Sequence, residues 1–157
     1  MTILVFSDSH GNVENMARAV ERLRPREIFH LGDCWRDGEA LHALFPSLPL
    51  RQVAGNCDSP ALRPRELLLE IQGKRILLCH GHAYRVKDSL LAAGFAAEAQ
   101  RADLFLFGHT HRVFRDVRGQ TLFFNPGSIG DPVSPTFGVI RIREGVLDAV
   151  PVSLDSI

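Results

Sequence analysis

The chain has 157 residues, enough for a domain that builds its own core without disulfide staples. Hydrophobic residues are 45% and charged residues 23%, which excludes a disordered chain. With 18 Lys+Arg against 18 Asp+Glu and the arginines scattered, a nucleic-acid polymer held by phosphate neutralisation is not an expected partner.

Ile3 to Phe6 is a short apolar run ending at Ser7-Asp8, the pattern of a buried strand that delivers a polar loop. Asn12 caps a helix whose apolar positions Val13, Met16, Ala17, Val20 and Leu23 share one face, and Pro25 stops it. A second strand, Glu27 to Leu31, ends at Gly32-Asp33. A short helix follows Asp37, and a third strand, Leu50 to Ala54, ends at Gly55-Asn56. This alternation predicts parallel pairing. The rhythm then changes. Glu66–Ile71 and Lys74–Cys79 flank Gln72-Gly73 as a hairpin, and Asp88 to about Gln100 reads as a helix. Leu104–Phe107 is a strand ending at Gly108-His109, followed by strands at Val113–Val117, Thr121–Phe124, Phe137–Ile142 and Val146–Val150. No repeat or linker divides the chain, so one α/β domain over residues 1–157 is expected.

No apolar run reaches the roughly 18 residues of a membrane span, and the opening MTILVFSDSH turns polar too early for a secretion signal. A cytoplasmic location away from membranes is the expectation. Cys34, Cys57 and Cys79 are odd in number and form no CxxC pair, as reduced thiols would be.

Five of the seven histidines fall in three clusters: Asp8-Ser9-His10, His80-Gly81-His82 and His109-Thr110-His111. These clusters, with Asp33 and with Asn56 and Asp58, each follow a predicted buried strand. Strand ends at one edge of an α/β sheet are where ligand sites are built. Taken singly, each motif is more common in turns and at surfaces than in sites; their succession at strand ends is the signal. Carboxylates, an amide oxygen and neutral imidazoles suit Mn, Fe, Zn or Ni better than Ca or Mg. Seven such groups are too many for one tetrahedral ion and suit two. Two ions roughly 3.5–4 Å apart share a bridging carboxylate and activate a bridging water or hydroxide for in-line attack on phosphorus.

Asp8-Ser9-His10, Gly32-Asp33, Gly55-Asn56-Cys57-Asp58, His80-Gly81-His82 and Gly108-His109-Thr110-His111 resemble, in order, the signature of the calcineurin-like metallophosphoesterases. Asn125-Pro126-Gly127-Ser128 resembles a loop of that family's small single-domain prokaryotic phosphodiesterases. The resemblance implies a four-layer α-β-β-α sandwich of two mixed sheets flanked by helices. It also implies a phosphoric ester hydrolase with two divalent metal ions, manganese first and zinc, iron or nickel as alternatives. By this resemblance Asp8, His10 and His111 hold one ion, Asn56, His80 and His109 the other, and Asp33 bridges them. His82 matches no family ligand position.

One departure concerns Cys57, which stands where many members have a histidine that serves the leaving group. A thiol with an ordinary pKa near 8.5 is a poor acid for that task, so alkyl esters are expected to turn over more slowly than aryl or nucleotide esters. His82 is the candidate catalytic proton carrier in its place. Cys79 faces opposite to His80 in an extended strand and is assigned to packing, as are His30 and His42 to packing or solvent. Asp58 is expected to orient its neighbours, and Asp131 and Ser134 to form the rim. The substrate expected is a small phosphate ester, a diester before a monoester because a chain this short leaves little room for a cap. The rival reading is a non-catalytic protein-interaction scaffold on the same fold, as in the retromer small subunit; it is disfavoured because no ligand position is missing.

Overall fold

The computed structural model describes residues 1–59 and 61–157. In chain order it forms β1 (Thr2–Phe6), α1 (Val13–Leu23), β2 (Glu27–His30), α2 (Trp35–Leu44), β3 (Leu50–Gln52), β4 (Glu66–Ile71), β5 (Lys74–Cys79), α3 (Leu91–Ala99), β6 (Leu104–Leu106), β7 (Val113–Arg118), β8 (Thr121–Pro126), β9 (Thr136–Arg143) and β10 (Val146–Ser153). One sheet has the order β10-β9-β1-β2-β3 and the other β4-β5-β6-β8-β7. Both are mixed. β1 pairs parallel with β2 and antiparallel with β9, while β6 pairs parallel with both β5 and β8.

Side-chain alternation makes the layers. Ile3 and Val5 point between the sheets with Ile76, Leu78, Leu104 and Leu106, whereas Leu4 and Phe6 point outward onto Met16, Val20 and Leu41 of the first two helices. Leu77, Cys79, Phe105 and Phe107 face outward on the second sheet and pack with Ala93 and Ala97 of α3. Cys79 therefore packs away from the inter-sheet layer, and its neighbour His80 carries the inward parity, as the sequence predicts.

Several boundaries differ from expectation. α2 begins at Trp35, ahead of Asp37, because its first N–H groups are capped by Asp58 from a distant loop rather than by a local side chain. β3 ends at Gln52, where pairing with β2 ends. α3 begins at Leu91 instead of Asp88, and a short 3-10 helix, His82–Tyr84, precedes it. No helix of the described residues is long and apolar enough to cross a membrane.

Candidate metal centre

The parallel strands β1 and β2 end at one edge of their sheet, and β5 and β6 end at one edge of the other. The two edges are joined tightly. Gly108 N–H donates to the His80 carbonyl (2.8 Å) and Asp8 N–H to the Gly32 carbonyl (3.1 Å). Across the sheets, His109 N–H donates to Asp8 Oδ2 (3.1 Å). Gly108 has no room for a side chain, since an added Cβ would stand 1.9 Å from Ser7 Oγ. The glycine lets the two histidine- and aspartate-bearing loops touch.

Two donor triads result, Asp8–His10–His111 and Asp8–Asp33–His80, each with its ligand atoms within 4.8 Å of one another. Asp8 belongs to both. Its Oδ2 accepts from Ser7 Oγ (2.6 Å) and His109 N–H, while Oδ1 is buried with no hydrogen-bond partner. His111 Nε2 lies 3.1 Å and His80 Nε2 3.8 Å from that oxygen. His80 Nδ1–H donates to the Leu31 carbonyl (2.8 Å), which leaves the Nε2 lone pair facing the cluster, 3.4 Å from Asp33 Oδ2 and without a hydrogen bond. A buried imidazole fixed in this tautomer by a backbone carbonyl is the arrangement a metal-binding histidine uses. Two buried, unpaired acceptor atoms facing each other are costly unless a cation sits between them. The donor set therefore fits divalent ions.

Backbone strain collects here too. Asp8, His10, Asp33, His109 and His111 all hold positive φ, between 45° and 68°. For a residue with a Cβ each such angle costs on the order of 1 kcal/mol, and such strain gathers at functional sites.

Charge follows the same geometry. Burial alone would raise the Asp33 pKa, but the adjacent His80 imidazole and the Cys57 N–H, which donates to Oδ1 (3.0 Å), hold it well below the carboxylate range. Burial works to lower His80, yet Asp33 and Asp8 together outweigh it and raise the imidazole. His109 is lowered by burial, then by His80 and Lys87, and His82 by burial, then by His80 and Arg65. Burial and Asp33 push the Cys57 thiol up, making it a weaker acid than a free thiol.

Of the residues singled out from sequence, Asp8, His10, Asp33, His80 and His111 form the two triads. The His109 ring packs edge-on against His80 with centroids 5.1 Å apart. Asn56 is exposed beside Asp33's partner Cys57 and donates from Nδ2 to its Sγ (3.5 Å). His82 lies at the rim of the cluster, its ring centroid 5.5 Å from that of His80 and 6.1 Å from that of His109. His42 is exposed, and Asp131 accepts from Val133 and Ser134 N–H groups at the surface.

Bracing residues went largely unread in the sequence. Asp58 was the exception: its carboxylate accepts four backbone N–H groups, from Asp33, Cys34, Trp35 and Gly55. His30 points outward from β2, and Ser9 links it to Asp37. The Ser9 hydroxyl donates to Asp37 Oδ2 (2.7 Å), so the contact with His30 Nε2 (2.9 Å) runs from the imidazole N–H, while Gly32 N–H donates to His30 Nδ1 (3.3 Å). Asp37 also accepts Gly11 N–H (2.7 Å), so this buried chain ties the Asp8–His10 loop to the Asp33 loop. From the far side, Asn125 donates to the Gly108 carbonyl (2.9 Å) and Ser128 to the Asp8 carbonyl (2.8 Å). A hydrophilic residue inside a predicted strand, such as His30, was the only available signal for that chain.

A carboxylate–imidazole cluster at the joined edges of two sheets is a donor set that could hold divalent ions. Residues 1–145 match the Calcineurin-like phosphoesterase superfamily domain, and the chain belongs to that family of phosphoric ester hydrolases. It is 36% identical over 135 residues to the probable metallophosphoesterase YsnB of Bacillus subtilis, covering 84% of this chain and 77% of that protein. It is 33% identical over 158 residues to the phosphodiesterase YfcE of Escherichia coli K12, covering 84% and 81%. Among solved structures, a conserved Streptococcus pneumoniae protein described as a predicted phosphoesterase superposes with TM-score 0.83 at 28% identity, covering 98% of this chain and 90% of that one. Vps29 of Entamoeba histolytica, solved with zinc, shares the fold at TM-score 0.76 and 20% identity, covering 98% and 99%.

Proposed function

We propose that this protein is a cytoplasmic, single-domain, metal-dependent phosphodiesterase holding two divalent ions, manganese before zinc, iron or nickel. Asp8, His10 and His111 would hold one ion and Asn56, His80 and His109 the other, with Asp33 between them. The observation that carries this reading is the buried pair of unpartnered atoms, Asp8 Oδ1 and His80 Nε2. That Asp8 belongs to both donor triads supports two ions over one. When bound, such ions generate a nucleophile from water at neutral pH and neutralise charge on the phosphoryl oxygens.

The chain's own residues do the rest. Ser7 and the His109 N–H fix Asp8, the Leu31 carbonyl fixes the His80 tautomer, and the Cys57 N–H holds Asp33 ionised. His10 and His111 are 43% and 47% exposed, so a phosphoryl group reaches the buried donors from solvent past them. An open approach suits an ester with two arms, and the relative named a phosphodiesterase points the same way. Water's oxygen forms a bond to phosphorus as the bond to the leaving oxygen breaks, giving a phosphomonoester and an alcohol that takes up a proton. We assign the handover of that proton to His82, at the rim beside His80 and His109, through the minor protonated form that its lowered pKa leaves; Cys57, a weaker acid than a free thiol, is the poorer donor.

The scaffold alternative draws on Leu91 and Phe95, exposed at 68% and 66% on α3. Against it stands the sequence, in which none of the seven proposed ligand positions is missing. Titration of metal-stripped protein with Mn²⁺ tests the dinuclear centre: two ions bound per chain are expected, and a single ion would overturn it.

A further inference from the structure

A groove of about 490 Å³ lies on the second sheet's outer face, next in sequence to the His80 and His109–His111 loops. It begins at Thr110, the residue between His109 and His111, and passes Val86, whose side chain packs directly under Gly81 between His80 and His82. Its size falls in the range of small-ligand sites, roughly 300–1,000 Å³. The floor is apolar and partly open: Phe107 and Val86 are buried, Phe114 is half-buried, and Val113 is 44% exposed. Phe114 and Phe107 pack with ring centroids 5.9 Å apart, so the floor includes an aromatic surface.

Two cations stand over this floor. Lys87 and Arg112 are both exposed, both line the groove, and neither enters an ion pair among the described residues. Their neighbours do: Arg85 pairs with Asp88, Arg115 with Asp148 and Arg118 with Asp116. An apolar aromatic floor under two uncommitted positive charges is complementary to a ring that carries an anionic group. Thr110, shared between the groove and the His109–His111 loop, is the link by which a ligand here would reach the donor cluster.

We propose that this groove seats one arm of the diester, an aromatic base whose sugar carries a second phosphate, so that the preferred substrates are nucleotide-type diesters with an extra terminal phosphate. Val113 and Phe114 take the base, with Phe107 packed behind Phe114, and Lys87 and Arg112 take the phosphate. The proposal rests on the phosphodiesterase reading above.

The test compares the dinucleotide TpT with its 5′-phosphorylated form pTpT on Mn²⁺-loaded wild type and on Lys87→Gln/Arg112→Gln protein. Wild type should show a KM for pTpT about 10-fold below that for TpT, two exposed cation–phosphate contacts each contributing a few-fold. The double variant should lose most of that ratio, and added salt should shrink it in wild type. If bis-p-nitrophenyl phosphate is cleaved but the pTpT/TpT ratio is near one, or is the same in wild type and double variant, the groove assignment is wrong while the phosphodiesterase reading stands. Calorimetric binding of thymidine 3′,5′-bisphosphate gives the converse: binding that depends on Lys87 and Arg112, with no ester cleaved, keeps the ligand class and overturns the hydrolase.

Discussion

Replacing Asp58 by Asn tests how the loops around the cluster are held. The carboxylate accepts from Asp33 N–H (3.1 Å) and Gly55 N–H (2.8 Å) on Oδ2, and from Cys34 N–H (3.0 Å) and Trp35 N–H (2.8 Å) on Oδ1. An amide keeps one oxygen and puts an NH₂ where the other stood. Two backbone N–H groups then lose their acceptor and face a donor, and the other two lose a charged partner. Hydrogen bonds to charged groups contribute about 1.5–3 kcal/mol each, and Asp58 is only half-buried, so a loss of about 3 kcal/mol is expected. Against a total stability of roughly 5–15 kcal/mol this is a large shift. Urea unfolding of metal-stripped protein reads it as a lower midpoint with unchanged m-value. Because Asp33 moves with this loop, Mn²⁺ affinity should also fall by about 10–100-fold, as for other residues that orient metal ligands. A stability loss below about 1 kcal/mol with unaltered Mn²⁺ affinity would refute the assigned bracing role.

Three further outcomes follow from the structure. Gly108→Ala places a Cβ 1.9 Å from Ser7 Oγ and 2.8 Å from Asp8 Oδ2, so it should cost about 1–3 kcal/mol and weaken Mn²⁺ binding; an unchanged thermal midpoint and affinity would contradict the tight joint. Burial holds His30 near pKa 4 against an ordinary 6.5. The unfolded chain therefore binds a proton between those values that the folded one refuses, and stability should fall as pH drops through that window, by up to about 3 kcal/mol. Denaturant curves of wild type and His30→Gln from pH 7 to 4 check this, and equal slopes would exclude His30 as the source. Finally, His82→Ala should slow an alkyl diester by at least about 10-fold while affecting a p-nitrophenyl diester far less, since only the poor leaving group needs the proton; equal slowing would remove His82 from proton transfer.

Much of the arrangement was readable because period-two alternation carries through the strand ends. Ile3 and Val5 set the inward face of β1, and Ile76 and Leu78 that of β5, so His80 had to point between the sheets and Cys79 away. The polar clusters after β1, β2, β5 and β6 were visible as sudden changes in composition. What sequence could not show is what depends on distant pairing. The start of α2 is set by Asp58, more than twenty residues away, so local cap residues misplace it. The Asp37–Ser9–His30 chain joins three segments whose only sequence sign is a histidine within an apolar strand. The closeness of Gly108 to Ser7 depends on two separate sheets meeting, which no spacing in the chain encodes. The groove under Lys87 and Arg112 likewise forms from segments on either side of α3 and β6.

The central claim, that the cluster around Asp8 and His80 is a metal-dependent phosphodiesterase site, meets its most direct test in one assay. Metal-stripped protein, with and without Mn²⁺, is given bis-p-nitrophenyl phosphate and p-nitrophenyl phosphate, alongside Asp33→Asn. The account predicts Mn²⁺-dependent cleavage of the diester, faster than the monoester, and lost in the variant. Metal binding with neither ester cleaved, or cleavage that survives in Asp33→Asn, would contradict it.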